Sequence, residues 1–173
     1  MKRGEREDRR EAAELNALTE GIIGAAIKVH RELGPGLLES AYEACLHFEL
    51  GRQGYSVAGQ KPQPVGYDGL LLDCGYRLDL LVEEEVVVEF KAAAQVTKLD
   101  ERQLLTYLRL ADCRVGLLIK FNVLTLVEGV KRLVNDFPEA SPAGPLRSPR
   151  SLRLNQACCQ GRESCFRVNY RSQ

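Results

Sequence analysis

No uninterrupted apolar run in this chain approaches the roughly 18–20 residues that a membrane-spanning helix needs, so no membrane anchor is expected. The leading residues, Met1-Lys2-Arg3-Gly4-Glu5-Arg6-Glu7-Asp8, mix charges and open no apolar signal region, which makes a cytoplasmic protein the expectation. Histidine is scarce, with two in 173 residues, and no Ser or Cys stands beside an evident base. Triad-type hydrolase chemistry therefore has no foothold. The six cysteines form no C-x-x-C pair. Cys45, Cys74 and Cys113 sit in apolar patterned segments, where a free thiol acts as a small hydrophobe, and Cys158, Cys159 and Cys165 cluster without a nearby histidine. That spacing fits zinc and iron–sulfur ligand sets poorly, so reduced thiols are expected.

Net charge is also lacking, with 24 Lys and Arg against 24 Asp and Glu, but the balance is uneven. Six Arg stand against two Glu after residue 137, which leaves residues 1–137 at −4. An acidic body opposes strong non-specific binding to nucleic acid. It is tolerable at a site whose own carboxylates a metal neutralises.

What is present is a chain of 45% hydrophobic residues, enough for one domain with a core. Residues 1–14 read as a charged lead-in, frayed or loosely helical, residues 15–137 as the domain, and residues 138–173 as a disordered tail rich in Pro, Ser and Arg. Leu15, Leu18, Ile22, Ala25 or Ala26, Val29 and Leu33 mark one face of a helix that Gly34-Pro35-Gly36 stops. A second helix carries Leu38, Ala41, Tyr42 and Cys45. Strand-like runs follow from residue 55, with Asp68-Gly69 as a tight turn. Residues 97–111 return to helical spacing with Leu99, Leu104 or Gln103, Tyr107, Leu108 and Ala111, Val115-Gly116-Leu117-Leu118-Ile119 reads as a buried strand, and residues 123–134 as a strand or helix split by Gly129. This order gives an α+β fold with a mixed sheet, because a strand reached through a crossover helix tends to join in parallel. No internal repeat is evident.

Two strand-like runs carry the chemistry, Tyr76-Arg77-Leu78-Asp79-Leu80-Leu81-Val82 and Val86-Val87-Val88-Glu89-Phe90-Lys91, joined by Glu83-Glu84-Glu85 as an antiparallel hairpin. Alternation puts Val86, Val88 and Phe90 on one face and Val87, Glu89 and Lys91 on the other. A carboxylate and an ammonium within an apolar strand are costly unless paired. A divalent ion, Mg²⁺ or Mn²⁺, held by Asp79 and Glu89 would justify them, with the Phe90 carbonyl as a further ligand and Lys91 beside an attacking water. An ordinary Glu–Lys pair facing solvent fits the same spacing, and on this motif alone it is preferred. Gln103 and Tyr107, four apart on the third helix, share a face from which both can reach phosphate oxygens or orient a metal-bound water; a surface Gln beside a core Tyr is the plainer account. Glu39 and Tyr42 face one way in Gly36-Leu37-Leu38-Glu39-Ser40-Ala41-Tyr42, and Glu39 is either a metal ligand or a carboxylate that stabilises its helix start.

Together these residues resemble the GxxExxY protein family, a branch of the PD-(D/E)XK nuclease superfamily. Gly36, Glu39 and Tyr42 match the motif that names the family. The likeness runs from about residue 18 to 134 and includes His30 with Leu33-Gly34-Pro35-Gly36, Gln60, Tyr76-Arg77-Leu78-Asp79, Glu89-Phe90-Lys91 and Gln103-Leu104-Leu105-Thr106-Tyr107-Leu108. Lys120 departs from it, since members often have Asn there. The resemblance implies a restriction-endonuclease-like αβββαβ core with an extra N-terminal helix. It further implies that Asp79, Glu89 and Lys91 match the superfamily's catalytic positions, that Gln103 and Tyr107 match the Q-x-x-x-Y motif of RecB-type nucleases, and that Glu39 matches a helix acid that often joins the metal shell. His30 is expected to pack rather than catalyse, and Gln60 has no assigned role.

The expectation is a Mg²⁺- or Mn²⁺-dependent nuclease that cleaves nucleic-acid phosphodiesters, in DNA rather than RNA, through a metal-activated water. A non-catalytic nucleic-acid- or protein-binding module on the same fold is the alternative, and a homodimer is a further option.

Overall fold

The structure, a computed structural model, describes residues 3–73, 75–91 and 97–135. Cys74, Cys158, Cys159, Cys165 and the stretch 138–173 lie outside the described residues. The elements are α1 (Arg3–Leu33), α2 (Glu39–Arg52), β1 (Val57–Pro62), β2 (Val65–Tyr67), β3 (Leu70–Leu72), β4 (Arg77–Val82), β5 (Val86–Phe90), α3 (Lys98–Leu110), β6 (Val115–Ile119), α4 (Leu126–Gly129) and β7 (Val130–Val134). Five strands form one sheet in the order β1-β4-β5-β6-β7, and β2 and β3 pair separately. Among the described residues only the β5–β6 pairing is parallel, because α3 carries the chain across between those strands. Helix α2, strands β1, β4 and β5, helix α3 and strand β6 give the expected αβββαβ core. Helix α1 is the extra N-terminal element.

Both sheet faces are covered, as the two-sided apolar pattern of β5 requires. Val86, Val88 and Phe90 pack with Leu80, Val82 and residues of α1 and α2, including Ile22, Ala26, Tyr42 and Leu46. Val87 packs on the other face with Leu81, Leu118 and the α3 residues Leu104, Tyr107 and Leu108. A Cβ on Gly116 would stand 2.9 Å from the Leu104 side chain, so this glycine allows α3 to approach β6 closely. Cys113 is a buried free thiol. Burial pushes its pKa up to about 11, which makes it a poor nucleophile.

Helix α1 reaches back to Arg3, so the charged lead-in is helical, because mixed charges can support a helix without an apolar face. Arg10 and Glu14 pair at 2.8 Å one turn apart, and Glu11 pairs with Arg114 at 2.9 Å. Residues 123–134 are neither one strand nor one helix, since α4 gives way to β7 at Gly129. A Cβ on Gly129 would collide with the Lys120 carbonyl, which explains the glycine at that junction. Leu99, part of the helical spacing of α3, is exposed. Thr97 and Asp100 form a capping box that fixes the helix start, so Leu99 lies in the first turn ahead of the packed stretch. No helix among the described residues is long and apolar enough to cross a membrane.

Candidate active site

Strand β4 pairs with β5 in the register Leu80↔Val88, Leu81↔Val87 and Val82↔Val86. One step further, that register sets Asp79 opposite Glu89. Here side chains replace the regular ladder. The Phe90 N–H donates to Asp79 Oδ2 at 2.9 Å, and the Asp79 N–H makes a long contact of 3.5 Å to Glu89 Oε1. Alternation also breaks at this point, because Leu78 joins the α3-side cluster whereas Leu80 faces α1 and α2. On the other side of β4, Gln60 interrupts the β1 ladder with φ of 50°. The distortion on both flanks frees the Asp79 carboxylate from a simple strand position.

Glu89 is 5% exposed, and its carboxyl pKa is raised to about 8. Burial is the main cause, followed by the negative charge of Asp79; Glu39 adds to the rise while Lys91 opposes it. Lys91 follows the last residue of β5, anchored by its N–H to the Ile119 carbonyl at 3.0 Å. Its Nζ lies 3.9 Å from Glu89 Oε2 and donates to Gln103 Oε1 at 3.3 Å. Gln103 Nε2 in turn donates to the Tyr107 hydroxyl at 3.0 Å. Glu89, Lys91, Gln103 and Tyr107 thus form one connected polar set that runs from β5 to α3. Burial, with the charge of Glu89 next, also raises the Tyr107 pKa, which keeps its phenol protonated.

Glu39 opens α2 and is exposed. It shares a narrow crevice with Tyr42, Phe90, Lys91 and Asn122. Tyr42 is buried, stacked on Phe121 at 4.2 Å between ring centroids. Its hydroxyl donates to the Gly34 carbonyl at 2.6 Å and accepts the Leu37 N–H at 3.1 Å. The Gly36 N–H donates to Asn122 Oδ1 at 2.8 Å, and Gly36 has φ of +106°, a conformation that favours glycine. The residues spaced G-x-x-E-x-x-Y therefore build the loop that sets Glu39 in the crevice lined by Phe90 and Lys91. His30 does pack: its Nε2 lies 2.9 Å from the Val123 carbonyl, so that nitrogen carries the proton.

Glu43 was not singled out from sequence. Gln60 Nε2 donates to Glu43 Oε1 at 2.8 Å and reaches Asp79 Oδ1 at 3.5 Å, which links α2 to β4. The signal was the Glu39–Glu43 spacing of four, which puts both on one helix face.

Residues 16–133 match the PD-(D/E)XK nuclease superfamily. The chain belongs to this superfamily. Comparison with curated proteins and with solved structures gives no match. Nucleases of the PD-(D/E)XK superfamily generally use divalent metals and act on nucleic acid. Among the described residues, no three His, Cys, Asp or Glu side chains converge to hold an ion by themselves. The Asp79–Glu89 pair still suits Mg²⁺ or Mn²⁺, because Mg²⁺ commonly takes one or two carboxylates and keeps several waters. Burial and the charge of Asp79 make the charged form of Glu89 costly, and a cation bound there would relieve that cost.

Proposed function

We propose that this PD-(D/E)XK protein is a Mg²⁺- or Mn²⁺-dependent nuclease of the GxxExxY branch, cleaving phosphodiesters in DNA in preference to RNA. The observation that carries the reading is the connected set Asp79, Glu89, Lys91, Gln103 and Tyr107, with two carboxylates paired across strands and the ammonium beside them. Asp79 and Glu89 hold the ion, with the Phe90 carbonyl and Glu39 as further oxygens. A divalent ion there supplies activation of the attacking water and charge relief at the phosphate. Lys91 stabilises the attacking group and the negative charge that develops. Gln103 accepts from Lys91 and so fixes where the ammonium points, while the Tyr107 hydroxyl fixes Gln103. The branch assignment is supported by the Gly36, Glu39 and Tyr42 loop.

The test is metal-dependent cleavage of labelled nucleic acid by wild type and by Lys91→Ala. Cutting by wild type alone supports the proposal; equal rates from both would refute the role of Lys91.

A further inference from the structure

Next to the polar set lies a cleft of about 520 Å³ between α3 and the chain that enters β4. Tyr76, Val65 and Leu99 provide apolar walls, and Asp100, Arg102, Gln103, Thr106 and Tyr107 provide the polar edge. We infer that this cleft receives an unpaired nucleobase of the strand being cut, which makes single-stranded or frayed nucleic acid the substrate. The inference rests on the nuclease reading of the neighbouring carboxylates.

Continuity with the site comes first. Gln103 lines the cleft and also accepts from Lys91 at 3.3 Å, so the cleft begins where the reactive set ends. A base seated there belongs to a nucleotide next to the scissile phosphate. The volume lies within the range of clefts that hold small molecules, about 300–1,000 Å³. The chemistry suits a base as well. Tyr76 leaves 46% of its surface exposed and meets the Tyr107 ring at 6.2 Å between centroids, tilted by 60°. An exposed ring held in a fixed pose is a stacking platform, and stacking accepts any base.

The walls are held in place. The Gln63 N–H donates to the Tyr76 carbonyl at 2.8 Å, and Gln63 Nε2 donates to the Leu110 carbonyl at 3.0 Å. One residue, through its backbone and its side chain, thereby ties the Tyr76 backbone to the last turn of α3. Charge points the same way. Residues 1–137 carry −4, which is a poor basis for gripping a duplex through its phosphates. Stacking needs no net positive charge. A base within a duplex is already stacked and paired, so only an unpaired one can enter without the cost of flipping.

The experiment uses the full chain in metal-free buffer, where nothing is cut. Its probes are a short single-stranded DNA and RNA carrying one fluorescent aminopurine, and a blunt DNA duplex. Wild type and Tyr76→Phe should quench the aminopurine on binding. Tyr76→Ala should lose the quench and bind single strands about tenfold more weakly, with duplex affinity unchanged. Circular dichroism checks that Tyr76→Ala is folded. Absence of quenching by wild type at saturation, or equal quenching and affinity in Tyr76→Ala, would overturn the inference.

Cleavage with Mn²⁺ by wild type and Glu89→Ala is read separately. Tyr76-dependent quenching without cleavage would remove the nuclease reading and leave the base site standing. Cleavage with no dependence of binding on Tyr76 would do the reverse.

Discussion

Asp79 and Glu89 face each other across two antiparallel strands, and each carboxylate accepts a backbone N–H from the other's strand. The two acids are thus fixed by the sheet itself rather than by a mobile loop. Ionising Glu89 there is costly, first because it is buried and next because Asp79 lies beside it.

That cost predicts a pH-dependent stability. The folded Glu89 pKa of about 8 lies above the ordinary value of 4.5. Between these values the unfolded chain gives up a proton that the native state keeps, so stability falls as pH rises through the window and levels off above it. In metal-free buffer, Glu89→Gln should be more stable than wild type at pH 8 by on the order of a few kcal/mol, with the gap closing near pH 5. Urea unfolding at the two pH values checks this. A gap that widens towards acid would have the wrong sign.

Metal binding should carry the same proton. Affinity for Mn²⁺ should rise with pH up to about 8 and then flatten, because Glu89 must ionise before it can ligate. Calorimetry in buffers of different ionisation heat should detect proton release on binding below that pH. Asp79→Ala and Glu89→Ala should each lose the binding, whereas Lys91→Ala should retain it.

Lys91→Ala should lower single-turnover cleavage by about a hundredfold or more while the protein stays folded. Gln103→Leu should lower it less, since it removes the group that holds the ammonium and leaves the ammonium itself. A wild-type rate in Lys91→Ala would remove that residue from the chemistry.

The Tyr42 hydroxyl separates loop fixing from core packing. Tyr42→Phe keeps the stack on Phe121 but drops the bonds to Gly34 and Leu37, and should cost about 1–2 kcal/mol. Tyr42→Ala also empties a core position and should cost about 3–5 kcal/mol. Denaturant titration of both variants tests the difference.

The parts of this fold that are written locally were legible in the sequence. The hairpin joining Asp79 to Glu89, the tight turn at Asp68-Gly69 and the parallel arrival of β6 follow from alternation, turn residues and a crossover helix. The polar set around Glu89 and Lys91 was legible only in part, because charged residues in an apolar strand need a partner and a plain Glu–Lys pair fits the same spacing. Other features depend on tertiary placement. Helix α1 extends to Arg3 through charges that show no apolar spacing. Gln60 reaches Glu43 and Asp79 from a strand interrupted at φ of 50°, which no residue type at that position announces. Tyr76 lines the cleft beside α3, and Gln63 joins its backbone to the far end of that helix.

The central claim is tested most directly by incubating the purified full chain with labelled single- and double-stranded DNA and RNA, in Mn²⁺ or Mg²⁺, beside Glu89→Ala. The account predicts metal-dependent cutting by wild type, fastest on single-stranded DNA, and none by the variant. Folded wild-type protein that leaves every substrate intact, or Glu89→Ala that cuts as fast as wild type, would contradict it.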